Sequence, residues 1–393
     1  MLITQEVGSL PKPAWFLKSK AGLQVSKADL IEAKFWGDEL EIADNDKLIR
    51  LLQEQDSPRK RAEIKKWVVT YAIRFLEKSG LDIVYTGEML RVEMYEHPAS
   101  RISGLKFSGK VQSLDNKYYR IASVVQAVTR KRPIYLQELK LAKSIARKRL
   151  KVPVIGPYTL ADWTLDDYYV RKILNQAGSL KEARQKAKAD LIFDLVEKVL
   201  RPEIKELVGN GAERIQIDEP AATCHPQKEE MQIFVESFNT LTKGFPSKFS
   251  IHNCYSDYSI LAKYAPELKN CSQLTLEFAN RDSLRLGTGI QDRPGYANLR
   301  QFIENGYSGE FGVGVLNVHD FEGEIRENVK IVNNTLIESP ELIRDRLLFV
   351  QKIVRDSSKI AVNPDCGLRT RKDWKIIMQK LRNMVEGTRK TGF

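Results

Sequence analysis

Short apolar runs alternate with long amphipathic runs along most of this chain, which is the pattern of βα units. Most of the short runs are β-branched and almost continuously apolar, as expected for parallel strands covered on both faces. The predicted strands are Ile3–Val7, Ile83–Tyr85, Val152–Gly156, Arg214–Asp218, Phe249–His252, Leu274–Glu277, Phe311–Val315 and Ile360–Asn363. Eight such units in 393 residues predict an α/β fold of the TIM (β/α)8 barrel type.

The amphipathic runs between these strands predict helices. The clearest begins at Ser57-Pro58, a capping residue followed by an N1 proline, and stops at Gly80. Similar patterns predict helices over Leu180–Leu200, Glu229–Leu241, Pro340–Val354 and Lys372–Val385.

The stretch between the second and third predicted strands is unusually long. Polar and apolar residues alternate around Lys106–Val111 and Tyr118–Val125, which predicts a hairpin, and Leu139–Leu150 predicts a basic helix. We interpret residues 99–150 as an insertion beside the barrel and residues 1–393 as a single domain.

Composition narrows the class of protein. Hydrophobic residues make up 42% of the chain, enough for a large core, and no apolar run approaches the ~20 residues of a membrane span. The start of the chain lacks the features of a signal peptide, and four unevenly spaced cysteines favour a reducing cytoplasm. The net charge of +12 is spread over helices such as Lys181–Lys205 among acidic residues, so we expect no membrane partner and no nucleic acid.

Polar residues follow the apolar strands, where barrel enzymes carry their active sites. Four of them, His252, Cys254, Glu277 and Cys366, combine nitrogen, sulfur and oxygen donors that Zn²⁺ accepts. In an extended segment residues i and i+2 face the same way, so His252 and Cys254 can bind one ion. The alternative is that the cysteines are small buried residues and His252 is a hydrogen-bonded core histidine.

Four motifs carry a family resemblance: IGPYTL-x-x-W, IQIDEPA, H-x-C and NPDCGLRTR. In wording and order they resemble the catalytic C-terminal barrel of cobalamin-independent methionine synthase, and above all the short archaeal-type members of that family. The resemblance covers nearly the whole chain. It implies a methyltransferase that forms methionine from homocysteine with Zn²⁺ bound by His252, Cys254, Glu277 and Cys366.

The resemblance also implies roles for other strand-end residues. Homocysteine's amino and carboxylate groups are expected at Val7, Ser9, Glu88 and Asp218, since two acids suit an ammonium and a hydroxyl with backbone N–H suits a carboxylate. The alternatives are a structural ion pair for the acids and a turn role for Ser9. His319 corresponds to a family histidine near the methyl donor, the alternative being a rim histidine. Trp163 can stack on a flat cofactor or cap the core.

The methyl donor is predicted from what the chain lacks. The segment FSGKVQSLDNKYY has none of the basic, proline-containing pattern that serves the folate tail in full-length members. We therefore predict a methylated corrinoid, either methylcobalamin or a corrinoid protein, as donor and partner. The alternative is methyltetrahydrofolate or another methylpterin.

Three other functions remain as alternatives. A zinc enzyme alkylating another thiol, such as coenzyme M, is disfavoured by Glu88 and Asp218, which indicate an amino-acid thiol. A metal-free barrel related to uroporphyrinogen decarboxylase leaves the cysteines unexplained. A basic nucleic-acid-binding protein with a structural zinc predicts strongly salt-dependent RNA binding.

Overall fold

The computed structural model of this chain describes residues 1–112, 118–254, 257–279, 286–318, 329–332 and 335–393. Its strands are β1 Ile3–Thr4, β2 Ile83–Val84, β3 Ile102–Gln112, β4 Tyr118–Arg130, β5 Arg149–Leu150, β6 Val152–Ile155, β7 Leu165–Asp166, β8 Arg214–Asp218, β9 Lys248–Asn253, β10 Cys271–Leu276, β11 Glu310–Leu316, β12 Val329–Val332, β13 Thr335–Glu338 and β14 Ile360–Pro364.

The α-helices are α1 Ala14–Lys20, α2 Lys27–Glu39, α3 Asn45–Gln53, α4 Pro58–Lys78, α5 Glu96–Ala99, α6 Leu136–Ile145, α7 Pro157–Asp162, α8 Tyr168–Leu174, α9 Leu180–Leu195, α10 Arg201–Gly209, α11 Lys228–Thr242, α12 Tyr258–Tyr264, α13 Tyr296–Glu304, α14 Pro340–Val354 and α15 Trp374–Arg389. A π-helical turn, Val196–Leu200, joins α9 to α10, and 3₁₀ turns span Ala265–Glu267, Ser357–Lys359 and Leu368–Thr370.

Seven parallel strands form the central sheet in the order β1-β14-β11-β10-β9-β8-β6. Strand β2 is linked to both ends of this sheet. At one end Gln5, just after β1, bridges Ile83. At the other, β2 pairs in parallel with β5, which leads into β6. The result is an α/β fold with a curled parallel sheet, consistent with a TIM-like barrel. The predicted α/β class is confirmed at this level.

The strands are buried on both sides, as their apolar sequences predict. β6 and β14 are buried at every position, and β8 at every position after Arg214. Helix α4 shows the other half of the pattern. The Ser57 hydroxyl accepts the Lys60 N–H at 3.1 Å, Pro58 occupies the first turn, and the apolar side of the helix packs into the core.

Several predicted boundaries were wrong. The helix predicted over Leu139–Leu150 is α6, which ends at Ile145 because the chain turns extended to pair Arg149 and Leu150 with β2. The helix predicted to begin at Lys372 begins at Trp374, because the Asp373 side chain caps it by accepting the Lys375 N–H.

The predicted hairpin is present as the antiparallel pair β3–β4, and β4 also pairs with β7. That the hairpin belongs to an insertion, and that the whole chain is one domain, stay predictions.

Candidate active site

The candidate site lies where three parallel strands, β8, β9 and β14, end. Asp218 is the last residue of β8 and is the register partner of His252 on β9. Cys254 follows β9, and Cys366 lies two residues beyond β14. Parallel pairing brings the carboxyl ends of these strands together, so side chains far apart in sequence meet.

His252, Cys254 and Cys366 form a compact group of possible metal ligands. Their ligand atoms all lie within 4.8 Å of one another, and both His252 and Cys254 are buried. The Cys366 sulfur is 3.6 Å from Nε2 of His252 and 3.8 Å from the Cys254 sulfur. Nδ1 of His252 lies 3.0 Å from the Thr275 carbonyl oxygen, to which it donates, so Nε2 is the nitrogen turned toward the cysteines.

The electrostatics of the group favour a thiolate. The hydrogen bond with Cys254, followed by the one with His252, holds the pKa of Cys366 well below its usual range, although burial opposes this. Burial lowers the pKa of His252, but the contacts with Cys366, Asp218 and the Thr275 carbonyl oxygen together outweigh burial, and the net shift is upward. One imidazole and two thiols in this arrangement are a donor set that suits Zn²⁺.

Glu277 is buried directly after β10, but it is not part of this compact group. The Tyr258 hydroxyl accepts its backbone N–H at 3.1 Å. Its charge raises the pKa of Cys366, against the larger effects of Cys254 and His252, so its carboxylate acts on the group electrostatically. Its role as a fourth ligand stays a prediction.

A cavity of about 590 Å³ opens over the group and collects most of the predicted site residues. The residues from strand ends, here called the strand-end wall, are Ser9, Asp218, His252, Cys254 and Cys366. Glu88 and Trp163 line the same cavity. Val7 is fully buried next to it, and its carbonyl oxygen accepts a hydrogen bond from Gln216.

The two predicted ammonium-binding acids differ in their surroundings. Glu88 pairs with buried Arg91 at 3.1 Å and has a left-handed backbone with φ of 56°. Arg91 is held in turn by Glu138 and by the Pro153 carbonyl oxygen. Asp218 accepts a 2.7 Å hydrogen bond from Gln216, and burial raises its pKa to about 7. Glu88 therefore lines the cavity and also forms the structural ion pair that was the alternative interpretation of this residue.

Ser9 is brought to the cavity by a close approach of two backbones. A Cβ at Gly8 would lie 2.8 Å from the Gly367 Cα, which is closer than real side chains come. Only two glycines allow this contact, and it places the segment after β1 against the segment that carries Cys366.

The hairpin forms a second side of the cavity that the sequence did not predict. Its lining residues, here called the hairpin wall, are Val111, Gln112, Tyr119, Arg120 and Ile121. Val111 and Tyr119 are register partners across β3 and β4. The alternation of the segment predicts the hairpin but carries no signal for where the hairpin docks.

One other strand-end residue, Glu219, has structural contacts. Glu219 is fully buried and accepts the backbone N–H groups of Tyr158 and Thr159 at the start of α7. His319, predicted near the methyl donor, lies outside the described residues.

The fold is of the α/β class, and its candidate site is a cavity at the ends of the parallel strands. The chain belongs to the cobalamin-independent synthase family: residues 43–390 match the catalytic domain of that family. It is 35% identical to a methionine synthase of Thermoplasma acidophilum over 98% of this chain and 96% of that protein. It is 32% identical to a methionine synthase of Thermococcus kodakarensis over 98% of this chain and 92% of that protein.

A solved structure shows the same fold. The B12-independent methionine synthase from Shewanella sp. W3-18-1, in complex with selenomethionine, superposes with a TM-score of 0.71 at 19% identity, covering 100% of this chain and 98% of that chain. The family predicted from the motifs is confirmed. The prediction that the protein is a methyltransferase of the methionine synthase type is confirmed as well. None of the described helices has the length and apolarity needed to cross a membrane.

The predicted corrinoid donor is wrong. The family is cobalamin-independent and the structural neighbour is B12-independent, so neither methylcobalamin nor a methylated corrinoid protein is its donor or partner. The prediction rested on the absence of a basic, proline-containing pattern in FSGKVQSLDNKYY. Its described residues are strand residues of the hairpin, with Phe107 opposite Ala122 and Val111 opposite Tyr119, so their composition reflects strand pairing.

Proposed function

We propose that this protein forms methionine by transferring a methyl group to the sulfur of homocysteine, with zinc bound by His252, Cys254 and Cys366. The proposal rests on one observation. The His–Cys–Cys group, which suits zinc, lines the same cavity as Asp218, which suits an ammonium. A small molecule that carries both a thiol and an amino group would bind the metal through its sulfur and Asp218 through its ammonium. Glu277 is proposed as the fourth ligand, from its buried position and its charge beside Cys366.

Zinc bound there would supply a Lewis acid that lowers the pKa of the substrate thiol, which is otherwise near 8.5. The chain supplies the rest of the binding. Asp218 accepts hydrogen bonds from the ammonium, and Glu88, steadied by Arg91, adds negative charge nearby. Ser9 and the backbone beside it bind the carboxylate.

The reaction needs one bond to form and one to break. The thiol gives its proton to water, and a sulfur electron pair then forms the new bond to the methyl carbon. The methyl–carrier bond breaks, and the carrier leaves with that electron pair and takes up a proton from water. The strand-end wall holds the amino acid so that its sulfur faces the open part of the cavity, where a methyl group can be presented in line.

The remaining space in the cavity would receive the methyl donor. A cavity of about 590 Å³ is of the size that holds a drug-sized ligand. Trp163 and Tyr119 line it and offer aromatic faces to a flat carrier. A methylpterin donor and the part assigned to His319 stay predictions.

We also propose that the parallel strands close into an eight-stranded barrel. The support is the position of β2, which is joined to β1 by the Gln5–Ile83 bridge and pairs on its other side with β5.

The test is an assay of purified protein after chelation and after zinc is restored. Homocysteine is offered with each of several methyl donors separately, methyltetrahydrofolate among them, and methionine is measured. We expect one zinc per chain, methionine from one donor, and loss of both on chelation. Full activity without metal, or turnover of coenzyme M in place of homocysteine, would contradict the proposal.

A further inference from the structure

The side chain of Gln216 lies between two residues proposed to hold homocysteine. Its Nε2 donates to Oδ1 of Asp218 at 2.7 Å and to the carbonyl oxygen of Val7 at 3.0 Å. Gln216 is 1% exposed and lies on β8, two residues before Asp218. One amide therefore links the end of β8 to the segment after β1.

The orientation of this amide is determined by Lys151. The Lys151 ammonium lies 2.7 Å from Oε1 of Gln216 and also donates to the Glu6 carbonyl oxygen. An ammonium can only donate hydrogen bonds, so it fixes Oε1 toward itself and turns the two N–H groups toward Asp218 and Val7. Lys151 is itself buried, so this arrangement is protected from water.

We propose that Gln216, oriented by Lys151, is a positioning residue for amino-group recognition: it holds the Asp218 carboxylate and the Val7 carbonyl together as a paired acceptor for the substrate ammonium. The inference rests on the proposed function. Each acceptor keeps lone-pair capacity beyond the one that Gln216 uses, and a carbonyl and a carboxylate held together suit the several donors of an ammonium. The class of substrate selected is an amino acid with a side-chain thiol.

A merely structural role for Gln216 would make a different prediction. If the amide only satisfied buried groups, its loss would weaken all ligands of the cavity or destabilise the fold. If it positions the paired acceptor, its loss would remove the advantage of ligands that carry an amino group. The two cases are separated by homocysteine and 4-sulfanylbutanoate, which is homocysteine without its amino group.

The experiment measures the affinities of both thiols for zinc-loaded protein by calorimetry. We expect the parent protein to favour homocysteine by about tenfold or more, the factor that a charge-assisted hydrogen bond provides. In Gln216→Met we expect this preference to fall to about threefold or less, with the affinity for 4-sulfanylbutanoate changed by less than about threefold. Lys151→Met, which leaves the amide free to turn over, should reduce the preference in the same direction.

Gln273→Met is the matched control. Gln273 is a buried glutamine on β10 of the same sheet, and its amide bonds Gln5 and Glu310 away from the cavity lining. It should keep the parent's preference. An unchanged preference in Gln216→Met would overturn the inference, and if that variant does not fold, an unchanged preference in Lys151→Met would do so. A parent protein with no preference for homocysteine would instead overturn the proposed function, and the inference with it.

Discussion

The strand-end wall and the hairpin wall face the same cavity but are built differently. His252 is fixed by hydrogen bonds within the sheet, and Asp218 is fixed by Gln216 beneath it. The outer half of β3, from Ser108 to Gln112, is exposed on the hairpin. Groups that must keep tight mutual distances thus lie on the buried wall. The exposed wall can change without disturbing them.

The hairpin is nevertheless held to the rest of the protein by contacts along β4. The Tyr95 hydroxyl accepts the Ala122 N–H at 3.1 Å and lies 2.9 Å from the Thr164 hydroxyl. Arg120 pairs with Glu96 at 2.7 Å. We therefore expect the hairpin wall to act on the larger partner of the reaction, and the strand-end wall to act on the chemistry and the amino acid.

The largest effect is expected for Cys366→Ser on the strand-end wall. A serine hydroxyl is a poor zinc ligand, so we expect loss of the metal and a fall in methionine formation of about 10³-fold or more. Zinc content and activity are measured together. Cys271→Ser is the matched control, because Cys271 is a free cysteine that donates to the Gln273 carbonyl oxygen away from the site. Full zinc and activity in Cys366→Ser would refute the metal assignment.

Asp218→Asn should separate amino-acid binding from metal binding on the same wall. We expect homocysteine to bind about 10- to 100-fold more weakly, since a charged partner of the ammonium is lost, while zinc content is unchanged. Burial raises the pKa of Asp218 to about 7, so the carboxylate becomes neutral below that pH. Affinity in the parent should therefore rise as the pH is raised through 7.

In Asp218→Asn this part of the pH dependence should be missing. The difference between the two pH profiles, obtained by calorimetry, isolates the carboxylate from the ionisation of the thiol. Identical profiles would show that Asp218 does not bind the ammonium.

Tyr119→Ala tests the hairpin wall. Removing one aromatic contact should raise the KM for the methyl donor by about three- to tenfold and leave homocysteine affinity unchanged. Tyr118→Ala is the control, because Tyr118 is the adjacent residue, is 65% exposed and does not line the cavity. Equal effects on both substrates would mean that the two walls are not functionally distinct.

The smallest expected effect is on the stability of the fold. It concerns His97 in α5, the helix that precedes the hairpin. Burial, followed by the charges of Arg91 and Arg101, lowers the pKa of His97 to about 2. The unfolded chain takes up a proton there below about pH 6.5 while the folded chain does not, so the folded state loses stability as the pH falls.

The contribution of this one group is about 1.4 kcal/mol per pH unit below pH 6. Denaturant unfolding of the parent and of His97→Gln at several pH values should show a shallower slope in the variant. A slope unaffected by the substitution would mean that His97 is accessible to protons in the folded state.

The sequence predicted the parts of the site that depend on local pattern. Apolar runs located β2 and every strand of the central sheet to within a few residues. The polar residues at their ends include the three that meet in the His–Cys–Cys group. Residue spacing could not tell whether Glu277 joins that group, because its distance depends on the path of the chain after β10. Gln216 was overlooked because a glutamine inside an apolar strand has no signal until its contacts with Val7 and Lys151 are known.

The donor prediction failed for a related reason. It used the absence of a motif in one segment, and the structure assigns the described residues of that segment to strand pairing. Patterns that fix local structure were informative here, whereas an absent pattern was not evidence for a different ligand.

The contact between Gly8 and Gly367 has a consequence for the order of synthesis. The site contains residues as far apart as Ser9 and Cys366, so a ribosome must release the chain beyond Cys366 before the cavity can close. Until then Cys254 and His252 lack the third member of their group, and a partly made chain cannot bind metal as the finished one would. Truncation at either end should therefore abolish the site even where most of the sheet remains.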